Sequence, residues 1–125
     1  MKLPEIRNHN VGQYLNTAAI VEETAQQIMK DFGLFGVIIT FSGNTEQAYV
    51  ELHGQLIDQV SVLMERDFGR LLSVLYQVDI SEKEIARAEM ELPEYNQVEI
   101  IAHQIIVRDL KKVLTRHYFK SNPGL

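Results

Sequence analysis

Cysteine is absent from the chain, basic residues are outnumbered by acidic ones, and no apolar run approaches the length of a bilayer span. Without a thiol there is no disulfide, no thiol nucleophile and no thiolate metal site, which agrees with a reducing compartment; a cytoplasmic location is the expectation. The longest strongly apolar stretch, "LFGVII" at 34–39, falls far short of the roughly 20 residues that a spanning helix needs. The opening "MKLPEIRNHN" lacks the apolar core of a secretory signal, so neither a membrane span nor secretion is expected. Lys+Arg 12 against Asp+Glu 17 leaves a net charge of −5, which disfavours generic binding to nucleic acid or anionic lipid.

Absent motifs narrow the chemistry further. There is no Gly-x-Ser-x-Gly elbow, no glycine-rich phosphate loop and no dinucleotide fingerprint. The Glu-x-x-His spacing of di-iron bundles is missing as well. Glu99 and His103 stand four apart, but no second group of ligands accompanies them. No catalytic, cofactor-binding or metal-binding residue is therefore assigned, and enzyme activity has no positive support. The tripeptide Asp-Phe-Gly occurs twice, at 31–33 and 67–69. A kinase reading needs a glycine-rich loop, a strand lysine and a catalytic loop before it, and none is present. Both copies read instead as punctuation: Gly33 as a left-handed helix ending, Gly69 as either a tolerated helix glycine or a joint between two helices.

What is there describes a packed domain. Of 125 residues, 46% are hydrophobic and 23% charged, which suits one domain over 1–125 with a loose tail at 121–125. Four Asn- or Ser-headed capping patterns announce helix starts: Asn10/Gln13, Asn44/Gln47, Ser81/Glu84 and Asn96/Glu99. Leu52, Leu56, Val60, Met64, Phe68, Leu71, Leu75 and Val78 recur at three- and four-residue steps, the spacing of one buried helix face. Helices also follow Asn10, Ser81 and Asn96. Between the first two, "GVIITFS" at 36–42 has the composition of a strand. The expected fold is a mostly α bundle of four or five helices with one apolar strand; the alternative is α+β, with 36–42 and 47–53 forming a small antiparallel hairpin.

A strand must pair its backbone groups with something. Val37, Ile39 and Phe41 share one face of 36–42 and are the candidate self-association residues, because no charge lies between Asp31 and Glu46 to resist a second subunit. Charge is also segregated along the chain. Residues 79–99 hold seven acids and two bases, a net of −5, whereas 108–120 hold five bases and one acid, a net of +4. Arg108, Lys111, Lys112 and Arg116 form a basic stripe that either complements the helix dipole and nearby acids or docks an acidic partner or phosphate groups. The expected function is that of a non-enzymatic cytosolic protein acting through self-association as a homo-oligomer or through a protein partner. The alternative is a small-molecule or metal-assisted activity in a pocket between helices or at a subunit interface.

Overall fold

The computed structural model describes residues 6–121. Six helices run through them in order: α1 Val11–Tyr14, α2 Ala18–Gly33, α3 Ala48–Arg66, α4 Phe68–Val78, α5 Glu82–Glu91 and α6 Gln97–Ser121, with a 3₁₀ turn at Thr45–Gln47 leading into α3. The mostly α bundle is thus observed. The tail expected at 121–125 lies outside the described residues, except for the backbone of Ser121, which ends α6.

Helix α6 is the axis. From Ile100 to Val107 every residue is buried, because α2, α3, α4 and α5 all pack on it. A helix that is apolar on most sides is stable only when enclosed in this way. Around it, Ile28 and Phe32 of α2, Leu52, Leu56 and Val60 of α3 and Leu71 and Val74 of α4 are almost fully buried in one continuous core.

The helix ends show which sequence signals operate. Ser81 accepts from the N–H of Glu84 while the Glu84 carboxylate accepts from the N–H of Ser81, and Asn96 and Glu99 exchange the same two bonds at 2.9 Å each. Asn44 caps only the 3₁₀ turn, accepting from Glu46 and Gln47. Asn10 makes no side-chain cap for α1; instead Thr17 caps α2, and the helix expected from Asn10 is split into a single turn and a long helix. Gly33 is the last residue of α2 rather than a left-handed stop; the positive φ belongs to Gly36 at 76°. The long periodic run breaks at Asp67, whose side chain accepts from Arg70 N–H and starts α4. Gly69 therefore lies in the first turn of a new helix, just past the joint.

The strand expected at 36–42 does not form among the described residues. Residues 37–42 alternate in burial as an extended segment does. Val37 and Ile39 turn into the core of their own chain, at 6% and 4% exposure, while Ile38 is 79% exposed. The pairing that the segment requires comes from side chains of α3. Gln55 accepts from Thr40 N–H and donates to Thr40 C=O, and Glu51 accepts from both the N–H and the hydroxyl of Ser42. The hairpin alternative fails for the same reason, since 48–53 is the first part of α3.

Candidate functional site

Three groupings of chemistry-bearing side chains stand out, and each is assembled by α6. The first lies where the N-terminal ends of α3 and α6 meet residues 8–12. The Tyr49 hydroxyl is 2.6 Å from His103 Nδ1, and His103 Nε2 is 3.0 Å from the carbonyl oxygen of Asn8. A carbonyl can only accept, so Nε2 carries the proton, and Nδ1 accepts from Tyr49. His53 likewise sends Nε2–H to the Glu99 carbonyl at 3.0 Å and stacks on Tyr49 with ring centroids 5.0 Å apart; Tyr95 closes the group at 5.8 Å from both imidazoles. Of these rings, Tyr49, Tyr95 and His103 border an open cleft of about 380 Å³ that also meets His9, Thr45 and Glu46.

Burial sets the protonation of this group. It holds the His103 imidazole below its ordinary value, with His53 and His9 adding to the effect and the Asn8 carbonyl opposing it. Burial also pushes the Tyr49 phenol up, aided by Tyr95 and Glu99. Both groups are thus neutral near pH 7, and both have committed their protons within the cluster. Such an arrangement positions the N-terminal segment on α6 more readily than it moves a proton to a substrate. Glu99 spends its carboxylate on the α6 cap, so the Glu99/His103 pair does not present two free ligands to a metal.

The second grouping is buried between α2 and α6. Asp31 and Asp109 are both fully buried, and Lys112 Nζ lies 3.4 Å from Asp31 Oδ2 and 3.2 Å from Asp109 Oδ1. Gln27 donates to Asp31 Oδ1 at 3.0 Å. The Lys112 contact to Asp109 lacks hydrogen-bonding geometry, and neither Asp109 oxygen has a hydrogen-bond partner. Burial, with Asp31 next to it, pushes the Asp109 carboxyl up to about 8, against the pull of Lys112. At neutral pH the carboxyl therefore carries a proton, which it can donate to Asp31. The aspartate of the first Asp-Phe-Gly is thus a buried ion partner, and that of the second, Asp67, is a helix cap.

The side chains of the basic stripe go to separate partners. Arg108 Nη2 pairs with Asp79 Oδ2 at 3.0 Å, Lys112 turns inward to the two aspartates, and Arg116 donates to Gln27 at 2.9 Å. Lys111 points elsewhere, into a cleft with α5.

The third grouping is apolar. Between α4, α5 and α6 runs a groove of about 290 Å³ floored by Leu71, Leu75 and Ile101 and bordered by Met64, Phe68, Leu72 and Ile85. Phe68 and Leu72 are 54% and 51% exposed, and Tyr76, one turn further, is 88% exposed. Helix α4 is therefore apolar on two sides. One stripe, Leu71, Val74, Leu75 and Val78, faces the core, and a second, Phe68, Leu72 and Tyr76 at four-residue steps, faces out. Sequence periodicity assigned Phe68 to the buried face because the run was read as continuous; the joint at Asp67 resets the phase and turns Phe68 outward. Helix α5 covers the groove thinly, burying only Ala88, and offers Glu82 and Glu89 at its rim.

No described helix is long and apolar enough to cross a membrane. No family model matches the chain, and no match is found to a curated protein or a solved structure.

Proposed function

We propose that the protein is a non-enzymatic docking module whose α4–α5 groove takes an amphipathic helix with a basic flank from a partner protein. The observation that carries this reading is the outward apolar stripe of α4. Half-exposed Phe68 and Leu72 beside a groove with an apolar floor match the helix-in-groove mode, in which anchors at three- and four-residue steps enter from the partner. Each such side chain gains about 1–2 kcal/mol when its remaining surface is covered. The sign of the flank follows from α5: Glu82 and Glu89 line the rim, and residues 79–99 carry a net charge of −5. Complementary charge steers encounter and selects orientation more than it adds affinity.

The test uses two synthetic amphipathic helices with one leucine pattern, flanked by lysine in one and by glutamate in the other. The lysine form is expected to bind more tightly, shifting amide signals of 64–75 and 82–89, and Leu72→Glu is expected to abolish this. Equal binding of both peptides, or unchanged binding to Leu72→Glu, overturns the reading.

Self-association is a second reading, favoured by the 37–42 segment. Its inner edge is held by Gln55 and Glu51, but the N–H groups of Ile39 and Phe41 have no hydrogen-bond partner among the described residues. In an extended chain those groups turn to the opposite edge, where the same segment of a second copy can pair with them. Exposed Ile38 and Leu34 lie alongside. Sedimentation at high micromolar concentration tests this: a wild type that stays monomeric removes the reading.

A further inference from the structure

Arg87 of α5, Arg108 and Lys111 of α6 and Arg7 of the N-terminal segment line one cleft of about 240 Å³, together with Glu84 and Glu91. Four cations from three separate parts of a chain whose net charge is −5 have been brought to one opening. Like charges gathered in this way repel each other, and the ordinary remedy is a carboxylate for each. That remedy is incomplete here. Arg108 leans on Asp79, but the side chains of Arg87 and Lys111 have no ion-pair or hydrogen-bond partner among the described residues. The nearby carboxylates are otherwise engaged: Glu84 closes the α5 capping box, and Glu91 accepts from Asn8 Nδ2 at 3.4 Å.

We propose that this cleft binds a small phosphorylated molecule, with Arg87 and Lys111 as the principal anion ligands and Arg7 and Arg108 at its border. Guanidinium forks and a lysine ammonium approaching from different elements suit a tetrahedral oxyanion, which presents acceptor oxygens in several directions, better than a planar carboxylate. The volume accommodates a phosphate group with a few carbon atoms rather than a dinucleotide. Lys111 is half-buried and flanked by Val107, so a bound phosphate is partly shielded from water and its attraction to the cations is less screened. The cleft lies apart from the α4–α5 groove and does not depend on what that groove holds.

The experiment is a titration with glycerol 3-phosphate, and separately with succinate, at fixed ionic strength, followed by amide chemical shifts. Saturable shifts confined to residues 7–8, 84–91 and 104–111 are expected for the phosphate compound, with an affinity at least tenfold higher than for succinate. The Arg87→Gln/Lys111→Gln protein is expected to lose at least tenfold in that affinity while keeping its thermal midpoint, since both side chains are at least partly exposed. Arg87→Lys, which keeps the charge but not the fork, should fall between. Equal affinity for succinate overturns the phosphate assignment. Shifts scattered over all basic residues, or unchanged in the double variant, overturn the site.

Discussion

The side-chain amide of Gln55 closes a two-bond ring with the backbone of Thr40, accepting from its N–H at 3.0 Å and donating to its C=O at 2.6 Å. This is the pair of bonds that a neighbouring strand would supply, delivered instead by a helix side chain, and it explains how an apolar extended segment can lie on a helical bundle without a sheet. Gln55→Ala, which also removes the bond from the Thr40 hydroxyl at 3.2 Å, is expected to cost about 1–2 kcal/mol, the net worth of a few exposed bonds. Hydrogen exchange at Thr40 and Ser42 should accelerate while exchange in α6 is unchanged. Equal acceleration in both would show that the ring supports the whole fold and not the segment alone.

The alternation along 37–42 separates two neighbouring isoleucines. Ile39→Lys places an ammonium among Leu52, Leu56 and the rest of the core and is expected to unfold the chain. Ile38→Lys changes a side chain that is 79% exposed and is expected to leave the thermal midpoint within a few degrees. If the chain self-associates through this edge, Ile38→Lys gives the monomer by sedimentation. An Ile39→Lys protein that folds normally would contradict the burial of Ile39 in the core.

Much of this architecture was legible in the sequence, and the exceptions have physical reasons. The reciprocal boxes at Ser81/Glu84 and Asn96/Glu99 and the 3.6-residue period act within one or two turns, so they can be read locally. That Val37, Ile39 and Phe41 share a face was also local, but the sequence offered that face to a second subunit, whereas Val37 and Ile39 are buried in the core of their own chain. What the segment pairs with was not local, because Gln55 and Glu51 look like ordinary exposed residues of a helix. Phe68 was misplaced because Asp67 breaks the helix without disturbing the spacing of apolar residues around it. The stripe Arg108, Lys112 and Arg116 was visible as spacing, but its division among Asp79, the Asp31/Asp109 pair and Gln27 depends on three different helices or helix ends. The cleft formed by Arg7, Arg87 and Lys111 joins residues up to 104 positions apart in the chain, and no sequence pattern marks it.

The joint between α3 and α4 depends on Asp67, whose carboxylate accepts from Arg70 N–H and pairs with Arg70 Nε at 3.1 Å. Asp67→Ala is expected to cost about 1 kcal/mol through loss of the cap, with little from the exposed ion pair. Asp67→Asn keeps the cap and should recover most of that loss in a urea titration. If Asn is no better than Ala, the pair rather than the cap holds the joint.

Asp109 ties stability to alkaline pH. Its folded-state value, about 8, lies above the ordinary 3.8, so the folded protein retains a proton that the unfolded chain has already released. The contribution is complete below about pH 4 and is lost as pH rises towards 8, by at most about 1.4 kcal/mol per pH unit. Asp109→Asn mimics the uncharged, protonated carboxyl beside Asp31. It is expected to raise the urea midpoint at pH 8 more than at pH 5. A uniform gain at both values would mean that Asp109 is ionised in the folded state throughout.

His103 acts with the opposite sign on the acid side. Its folded-state value is held below the ordinary 6.5, first by burial and then by His53 and His9. The unfolded chain therefore takes up the proton first, and stability is present above about pH 6.5 and lost as pH falls towards the folded-state value. In the wild type this loss is masked, because Asp109 stabilises over the same range. Asp109→Asn unmasks it: the urea midpoint of that variant is expected to fall between pH 7 and pH 5. Adding His103→Gln should flatten the fall, since glutamine does not titrate, even though the lost bonds to Tyr49 and Asn8 lower stability at every pH. An equally steep fall in the double variant would assign the acid titration to another group.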